Sequence, residues 1–342
     1  MIDVAGLTRL DWIELIEGFD AKNIPDMTAW PFAAARAACD AVYGRDVFLR
    51  GLIEFSSHCG MDCLYCGLRR SNGNARRYRL TKEDILACCS KGAQLGFKSF
   101  VLQGGEDTFF TDKVLCGIVS AITERHPDCS VTLSAGERGL TSYKQLRAAG
   151  ARRYLLRHES ASPSHFARLH PVRQTLARRK RALYALKEAG FHVGAGFMVG
   201  TPGQTASDLA EDMLFLKEFR PHMVGIGPFM PHTDTPLAHA AAGGTGQTLL
   251  MVALTRLLLP QAMIPATTAL ASAHANGRIC GLDAGANVVM PNISPMETRA
   301  AYRIYDGKKS FGTETAEGLA ALQSELVAHG YRASLTRGDW RG

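Results

Sequence analysis

Three cysteines lie in the run His58-Cys59-Gly60-Met61-Asp62-Cys63-Leu64-Tyr65-Cys66-Gly67, spaced C-x3-C-x2-C. Three thiolates that close together can ligate three irons of a cubane [4Fe-4S] cluster and leave the fourth iron without a protein ligand. An open iron is a coordination site for a small molecule, so the spacing points to chemistry and not only to electron storage. Zinc is the competing reading of a C-x2-C pair, but a closed tetrahedron needs a fourth ligand. His58 is adjacent to Cys59 and badly placed to join it. The other six cysteines (Cys39, Cys88, Cys89, Cys116, Cys129 and Cys280) show no ligand spacing and read as small packing residues.

Elements must position those thiols, and the chain is long enough to build them. Its 342 residues are 46% hydrophobic, which is ample for a sizeable core. An odd count of nine cysteines, and no basic region followed by an apolar stretch at the N-terminus, predict a reducing cytoplasm. No apolar run reaches membrane-spanning length; the longest candidate, 249–260, is interrupted by Thr255 and Arg256. The net charge is +7, but its clusters at 69–70, 76–77, 152–153 and 178–181 are scattered and lack interleaved aromatics. That distribution argues against nucleic acid and for solvated surface, with a few arginines turned inward to hold an anionic ligand.

From about residue 47 short β-like runs alternate with helical ones. The strand candidates are 47–56, 99–103, 130–134, 153–157, 193–199, 223–228, 264–269 and 287–290, with periodic helical stretches such as 82–95, 206–219 and 249–259 between them. Alternation without a long antiparallel section implies a parallel sheet, and eight candidates predict a complete (β/α)8 TIM-type barrel. Helical runs at 8–18 and 28–43 form an N-terminal extension (1–46), and 317–330 reads as a closing helix, so 47–342 is expected to be one barrel domain. Chemistry in such barrels sits at the C-terminal ends of the strands. The cysteine run directly follows the first strand and would lie at that mouth.

The cysteine spacing, with Tyr65 just before the last cysteine, resembles the signature of radical S-adenosylmethionine (SAM) enzymes. Further runs resemble the HydE family of [FeFe]-hydrogenase maturases: 63–70 (CLYCGLRR), 102–107 (LQGGED), 154–159 (YLLRHE), 198–205 (MVGTPGQT), 225–229 with Pro231-His232, and 264–268 (IPATT). Methylornithine synthase and biotin synthase share the barrel and cluster motif but match these segments less well. The resemblance implies that SAM chelates the open iron and that reduction cleaves it to a 5′-deoxyadenosyl radical. It further implies attack on the sulfur of a cysteine-bound iron carbonyl-cyanide precursor of the hydrogenase cofactor. Glu159 then meets the positive end of SAM, Arg179 (or Arg178) its carboxylate, and Ser134 and Met198 contact it. Gln103, Thr132, Arg157, Thr267, Thr268 and Tyr302 match positions facing the family's substrate cavity. Many members carry a second cysteine set near the C-terminus; the matching positions here are Ser310, Gly318 and Ala321, so one cluster is expected. Implied partners are a small organometallic substrate, a ferredoxin or flavodoxin, and other maturases, with no nucleic acid and no membrane. Alternatives are a methylornithine synthase- or biotin synthase-like enzyme and, without catalysis, an iron-sulfur scaffold or carrier.

Overall fold

A computed structural model describes residues 3–19 and 24–342. Among them the strands are β1 (Asp46–Leu49), β2 (Gly51–Ser56), β3 (Ser99–Gly104), β4 (Ser130–Ser134), β5 (Ala151–Leu155), β6 (His192–Val199), β7 (Met223–Pro228), β8 (Val288–Val289) and β9 (Arg332–Ser334). β2 through β7 form a six-stranded parallel sheet in sequence order, and β1 joins β8 and β9 in a second parallel set. Every residue of β2 and β7 is buried, as expected of a parallel sheet covered on one face by its crossover helices.

Those helices start where short polar side chains can satisfy the free N–H groups of the first turn. Thr81 and Asp84 form a reciprocal capping box before Lys82–Gln94, and Thr205 and Asp208 do the same before Ala206–Phe219. Thr111 caps Asp112–Arg125 and Thr175 caps Leu176–Glu188. Upstream, the predicted first helix forms as Arg9–Glu17, buries Trp12 completely and packs on Ala206–Phe219, where Arg9 Nε meets Glu211 at 2.6 Å. The second forms as Phe32–Tyr43 against Thr245–Leu258.

The expected strand at 264–269 does not form as such. Met263 bridges Met223, and Pro265 bridges Val288, but Pro265 has no N–H to extend a ladder. Thr267 then caps the helix Thr268–Ala273, its hydroxyl accepting from Leu270 N–H. Backbone bonds nonetheless continue past β7. Val224 N–H reaches Met263 O at 3.1 Å, Asn287 N–H reaches Ile264 O at 2.8 Å, and Arg50 N–H reaches Val289 O at 2.9 Å. The strand expected at 153–157 forms as β5, Ala151–Leu155, two residues earlier, although Leu156 N–H still reaches Gly194 O at 3.0 Å. The closing helix forms as Leu319–Ala328, followed by the unforeseen β9, which pairs with β1. Beyond it the C-terminal tail covers the N-terminal ends of the strands. Arg50 and Arg153, both buried, donate to Gly338 O, and Arg153 reaches Asp339 at 2.6 Å. Among the described residues no helix is long and apolar enough to cross a membrane.

The side chain of Asn287 does at this joint what a strand carbonyl would do. Its Oδ1 accepts from Ile264 N–H at 2.9 Å and from Arg256 Nη2 at 3.2 Å, and it is fully buried. Asn287→Ala leaves two buried donors unpaired and is expected to lower the unfolding free energy by about 2–3 kcal/mol in urea titration. A loss under about 0.5 kcal/mol would show that the joint is held by the remaining backbone bonds alone.

Candidate functional site

The cysteine loop leaves β2 at Ser56 and has no regular structure of its own. Its backbone is pinned by other segments instead: Gly60 N–H to Glu106 O (2.8 Å), Leu64 N–H to Leu169 O (2.9 Å) and Gly67 N–H to Ile304 O (3.0 Å). Arg77 gathers four of the loop's carbonyls, donating to Ser57 O (2.5 Å), Leu68 O (2.9 Å), Arg69 O (2.7 Å) and Asn72 O (3.2 Å). Burial works against the Asp62 carboxylate, but bonds from Arg69 and Ser71 hold it down to about 2. The end of β3 comes so close that a Cβ on Gly105 would stand 2.2 Å from His58 O.

Burial pushes all three thiols up, Cys63 to about 11. The charge of Cys59 raises Cys63 further, while Arg179 pulls it down, and Cys63 and Cys59 both raise Cys66. Such a set ionises only with cations among the sulfurs. Among the described residues no three His, Cys, Asp or Glu side chains converge on a single-ion position. A cubane instead distributes three thiolates over three irons, so the donor set suits a cluster better than a mononuclear metal. Met61 N–H points at Cys59 Sγ (3.4 Å) and the Gln174 amide lies 3.6 Å from Cys63 Sγ.

Strand register places the predicted polar residues on one face of the sheet. Glu54, Gln103 and Ser134 form one row, and Leu52, Val101, Thr132 and Arg153 the row below. On β6 and β7 the same face carries Gly194 beside Met223, Gly196 beside Gly225 and Met198 beside Gly227, so only its middle row lacks side chains. Arg157 extends over it, its Cδ 3.8 Å from where a Gly225 Cβ would be. Several buried polar atoms here have no hydrogen-bond partner: Thr132 Oγ1, Arg157 Nε and Nη2, and Glu159 Oε2. Arg157 Nη2 and Glu159 Oε2 lie 3.0 Å apart, an ion pair by distance whose groups are not aligned as donor and acceptor. Glu159 also has φ +66°, a left-handed conformation that a non-glycine residue adopts only under constraint.

The remaining predicted residues divide. Arg179 is buried, donating to Glu137 Oε1 and to Arg157 O, both at 2.5 Å. Arg178 is exposed and takes the other Glu137 oxygen at 2.9 Å, so of the two it is Arg179 that turns inward. Met198 packs with Leu169, Phe229 and Tyr65. Gln103 Nε2 reaches the Tyr302 hydroxyl at 3.4 Å, and Thr267 Oγ1 lies against Gly227. Thr268 is engaged elsewhere: its hydroxyl donates to Glu314 (3.0 Å), which Arg278 holds. Sequence reasoning missed Glu54, fully buried between Lys308 Nζ (2.5 Å) and Asn292 Nδ2 (2.7 Å). A lone carboxylate in the apolar run Gly51–Ser56 was the available signal.

Residues 53–216 match the Radical SAM superfamily. The [FeFe] hydrogenase maturase subunit HydE of Thermotoga maritima is 49% identical over 265 residues, spanning 78% of this chain and 75% of the relative. The chain belongs to the HydE family of radical SAM enzymes. Methanosarcina acetivorans 3-methylornithine synthase is more distant, 27% identical over 79% of this chain and 77% of that protein. A crystal structure of methylornithine synthase shares the fold, with TM-score 0.80 and 24% identity over 97% of this chain and 96% of that one. HydG from Carboxydothermus hydrogenoformans also does, with TM-score 0.76 and 20% identity over 96% and 76%. Membership of the HydE family implies a [4Fe-4S] cluster and SAM, which the thiol loop and the buried polar atoms of Arg157 and Glu159 that make no hydrogen bond suit.

The strain at Glu159 separates stability from binding. Glu159→Gly is expected to raise the unfolding free energy by about 1 kcal/mol by relieving the left-handed backbone, and to weaken SAM binding at least about tenfold. Glu159→Gln, which keeps the strain, should show no stability gain. Thermal unfolding and equilibrium dialysis with SAM check both arms.

Proposed function

We propose that this chain matures [FeFe]-hydrogenase by acting on a small cysteine-bound iron carbonyl-cyanide substrate. In this reading Cys59, Cys63 and Cys66 hold a single [4Fe-4S] cluster, and Glu159, Arg179, Ser134 and Met198 hold SAM beside it. When bound and reduced by a low-potential donor such as a ferredoxin or flavodoxin, the pair supplies a 5′-deoxyadenosyl radical for attack on the substrate sulfur. What supports the reading above all is the set of Thr132 and the Arg157–Glu159 ion pair, whose buried atoms make no aligned hydrogen bond, on the face next to the thiol loop.

The chain's own residues then have distinct tasks. Arg157 offers a guanidinium whose buried Nε and Nη2 make no hydrogen bond within the protein, suited to an anionic or strongly accepting ligand. Thr132 offers a hydroxyl below it, and Gly225 and Gly227, which lack side chains beside Arg157 and Thr267, offer volume. Gln103, Thr267 and Tyr302 close the sides. Thr268, engaged by Glu314, orients the segment that presents Thr267. Two further parts of the reading are structural. The backbone bonds from β7 through 263–266 and β8 to β2 support a complete (β/α)8 barrel that excludes water from this space. Ser310, Gly318 and Ala321, where a second cysteine set would fall, support a single cluster.

A second reading, a methylornithine synthase-like enzyme on an amino-acid substrate, is favoured by the shared fold over nearly the whole chain. Anaerobic reconstitution followed by reduction with dithionite in the presence of SAM tests the common core. The wild-type chain should release 5′-deoxyadenosine and Cys63→Ala none; equal release from both, or none from either, would overturn the enzyme reading, the latter in favour of an iron-sulfur carrier. Adding the iron carbonyl-cyanide complex should give an adenosyl-substrate adduct by mass spectrometry. An adduct or rearrangement seen only with the amino acid would select the second reading.

A further inference from the structure

Glu159 stands in a backbone conformation that its own side chain disfavours, so something outside it must hold it there. The neighbouring residue, His158, points the other way, into the layer between sheet and helices, and is fully buried beside Phe197 and Phe215. Its Nδ1 accepts the Gly196 N–H at 3.2 Å. The ring proton is therefore on Nε2, which donates to Asp212 Oδ1 at 3.1 Å. The same oxygen accepts the Ala161 N–H at 2.6 Å. Gly196 O in turn accepts the Glu159 N–H at 3.0 Å, and Glu159 O accepts the Met198 N–H at 3.2 Å. One carboxylate on the helix Ala206–Phe219 thus ties both flanks of Glu159, through a side chain before it and a backbone amide after it.

Burial pushes the His158 imidazole down to about 3, in keeping with the neutral ring that the Gly196 bond requires. Asp212 Oδ2 is buried with no partner. A core that needed only volume here would be served as well by apolar side chains, because buried polar pairs contribute little net stability. What apolar residues cannot do is fix two backbone amides, those of Gly196 and Ala161, around a strained residue.

We infer that His158 and Asp212 are positioning residues that hold Glu159 in its left-handed conformation and so aim its carboxylate into the cofactor site. This rests on the reading in which Glu159 meets the positive end of SAM. The frame itself can be measured without SAM, so the two ideas fail separately.

The test uses the full-length reconstituted protein with Asp212→Leu and Asp212→Asn, each also combined with Glu159→Gly. The readouts are iron per chain, hydrogen exchange of the peptide spanning 157–162, and SAM affinity by equilibrium dialysis. In Asp212→Leu the peptide should exchange at least about tenfold faster and SAM bind at least about tenfold more weakly, with iron per chain unchanged. Asp212→Asn, which keeps the accepting Oδ1, should restore both to within about threefold. In the Glu159→Gly background the strain is gone, and Asp212→Leu should change exchange by less than about threefold. Unchanged exchange in Asp212→Leu, or an equal acceleration in both backgrounds, would overturn the frame. Faster exchange with unchanged SAM affinity would uphold the frame and overturn the role of Glu159 toward SAM. Should Asp212→Leu fail to fold, His158→Asn carries the same expectations, since its amide oxygen can accept from Gly196 but its side chain falls short of Asp212.

Discussion

Three thiols on a loop with no helix or strand of its own form the constraint around which the rest is arranged. Buried thiolates repel one another, and an irregular loop has no internal ladder to resist that repulsion. The loop is therefore held from outside. Arg77 collects the carbonyls of residues 57, 68, 69 and 72, while the backbones of Glu106, Leu169 and Ile304 each receive one of its amides. The end of β3, the end of the helix Pro163–Leu169 and the segment around Ile304 thus all meet at the cysteine loop. Displacing any one of them would displace a sulfur.

The two ends of the sheet carry different buried charges. At the N-terminal ends of the strands the buried cations Arg50 and Arg153 are capped by the tail, through Gly338 O and Asp339. At the C-terminal ends, Thr132, Arg157 and Glu159 keep buried atoms without partners. A buried polar group left unpaired costs about 1–3 kcal/mol; Arg50 Nε, Ser130 Oγ and Arg337 Nε carry that cost at the floor, and Thr132 Oγ1, Arg157 Nε and Glu159 Oε2 carry it where a ligand would sit. The left-handed backbone of Glu159 adds a second local cost at the same place.

How much of this was legible follows from range. The cysteine spacing and the alternation of β and α are patterns within a few residues, and they carried the parallel sheet and the position of the loop. The 264–269 strand was misread because Ile264-Pro265-Ala266-Thr267-Thr268 has strand composition, whereas Pro265 and the capping hydroxyl of Thr267 end the ladder. β9 is three residues long and pairs with a strand 286 positions away, as in Asp46 with Arg332, so no local periodicity announces it. The choice between Arg178 and Arg179 was likewise beyond the sequence. Both lie in the first turn of one helix, and only the position of Glu137 and of the Arg157 carbonyl decides which is turned inward. Thr267 and Thr268 both match the family's cavity positions; a helix start turns consecutive side chains about 100° apart, and the Thr268 hydroxyl donates to Glu314.

The segment carrying Tyr302 shows how the mouth can be walled without further metal ligands from this chain. Residues 302–308 lie along the cysteine loop, with Ile304 O bonded to Gly67 and Asp306 N–H bonded to Pro231 O. Lys308 then reaches the buried Glu54, 2.5 Å from its Oε1, and donates to Tyr302 O at 3.2 Å. Burial pushes the Glu54 carboxyl up while Lys308 and Asn292 pull it down, so the charge of Glu54 persists only with that lysine in place. Glu54 sits in register with Gln103, and Gln103 contacts the Tyr302 hydroxyl. The ion pair and the amide therefore hold the two ends of the same short segment against adjacent strands, and the position of the Tyr302 ring follows from a carboxylate that no local motif marked.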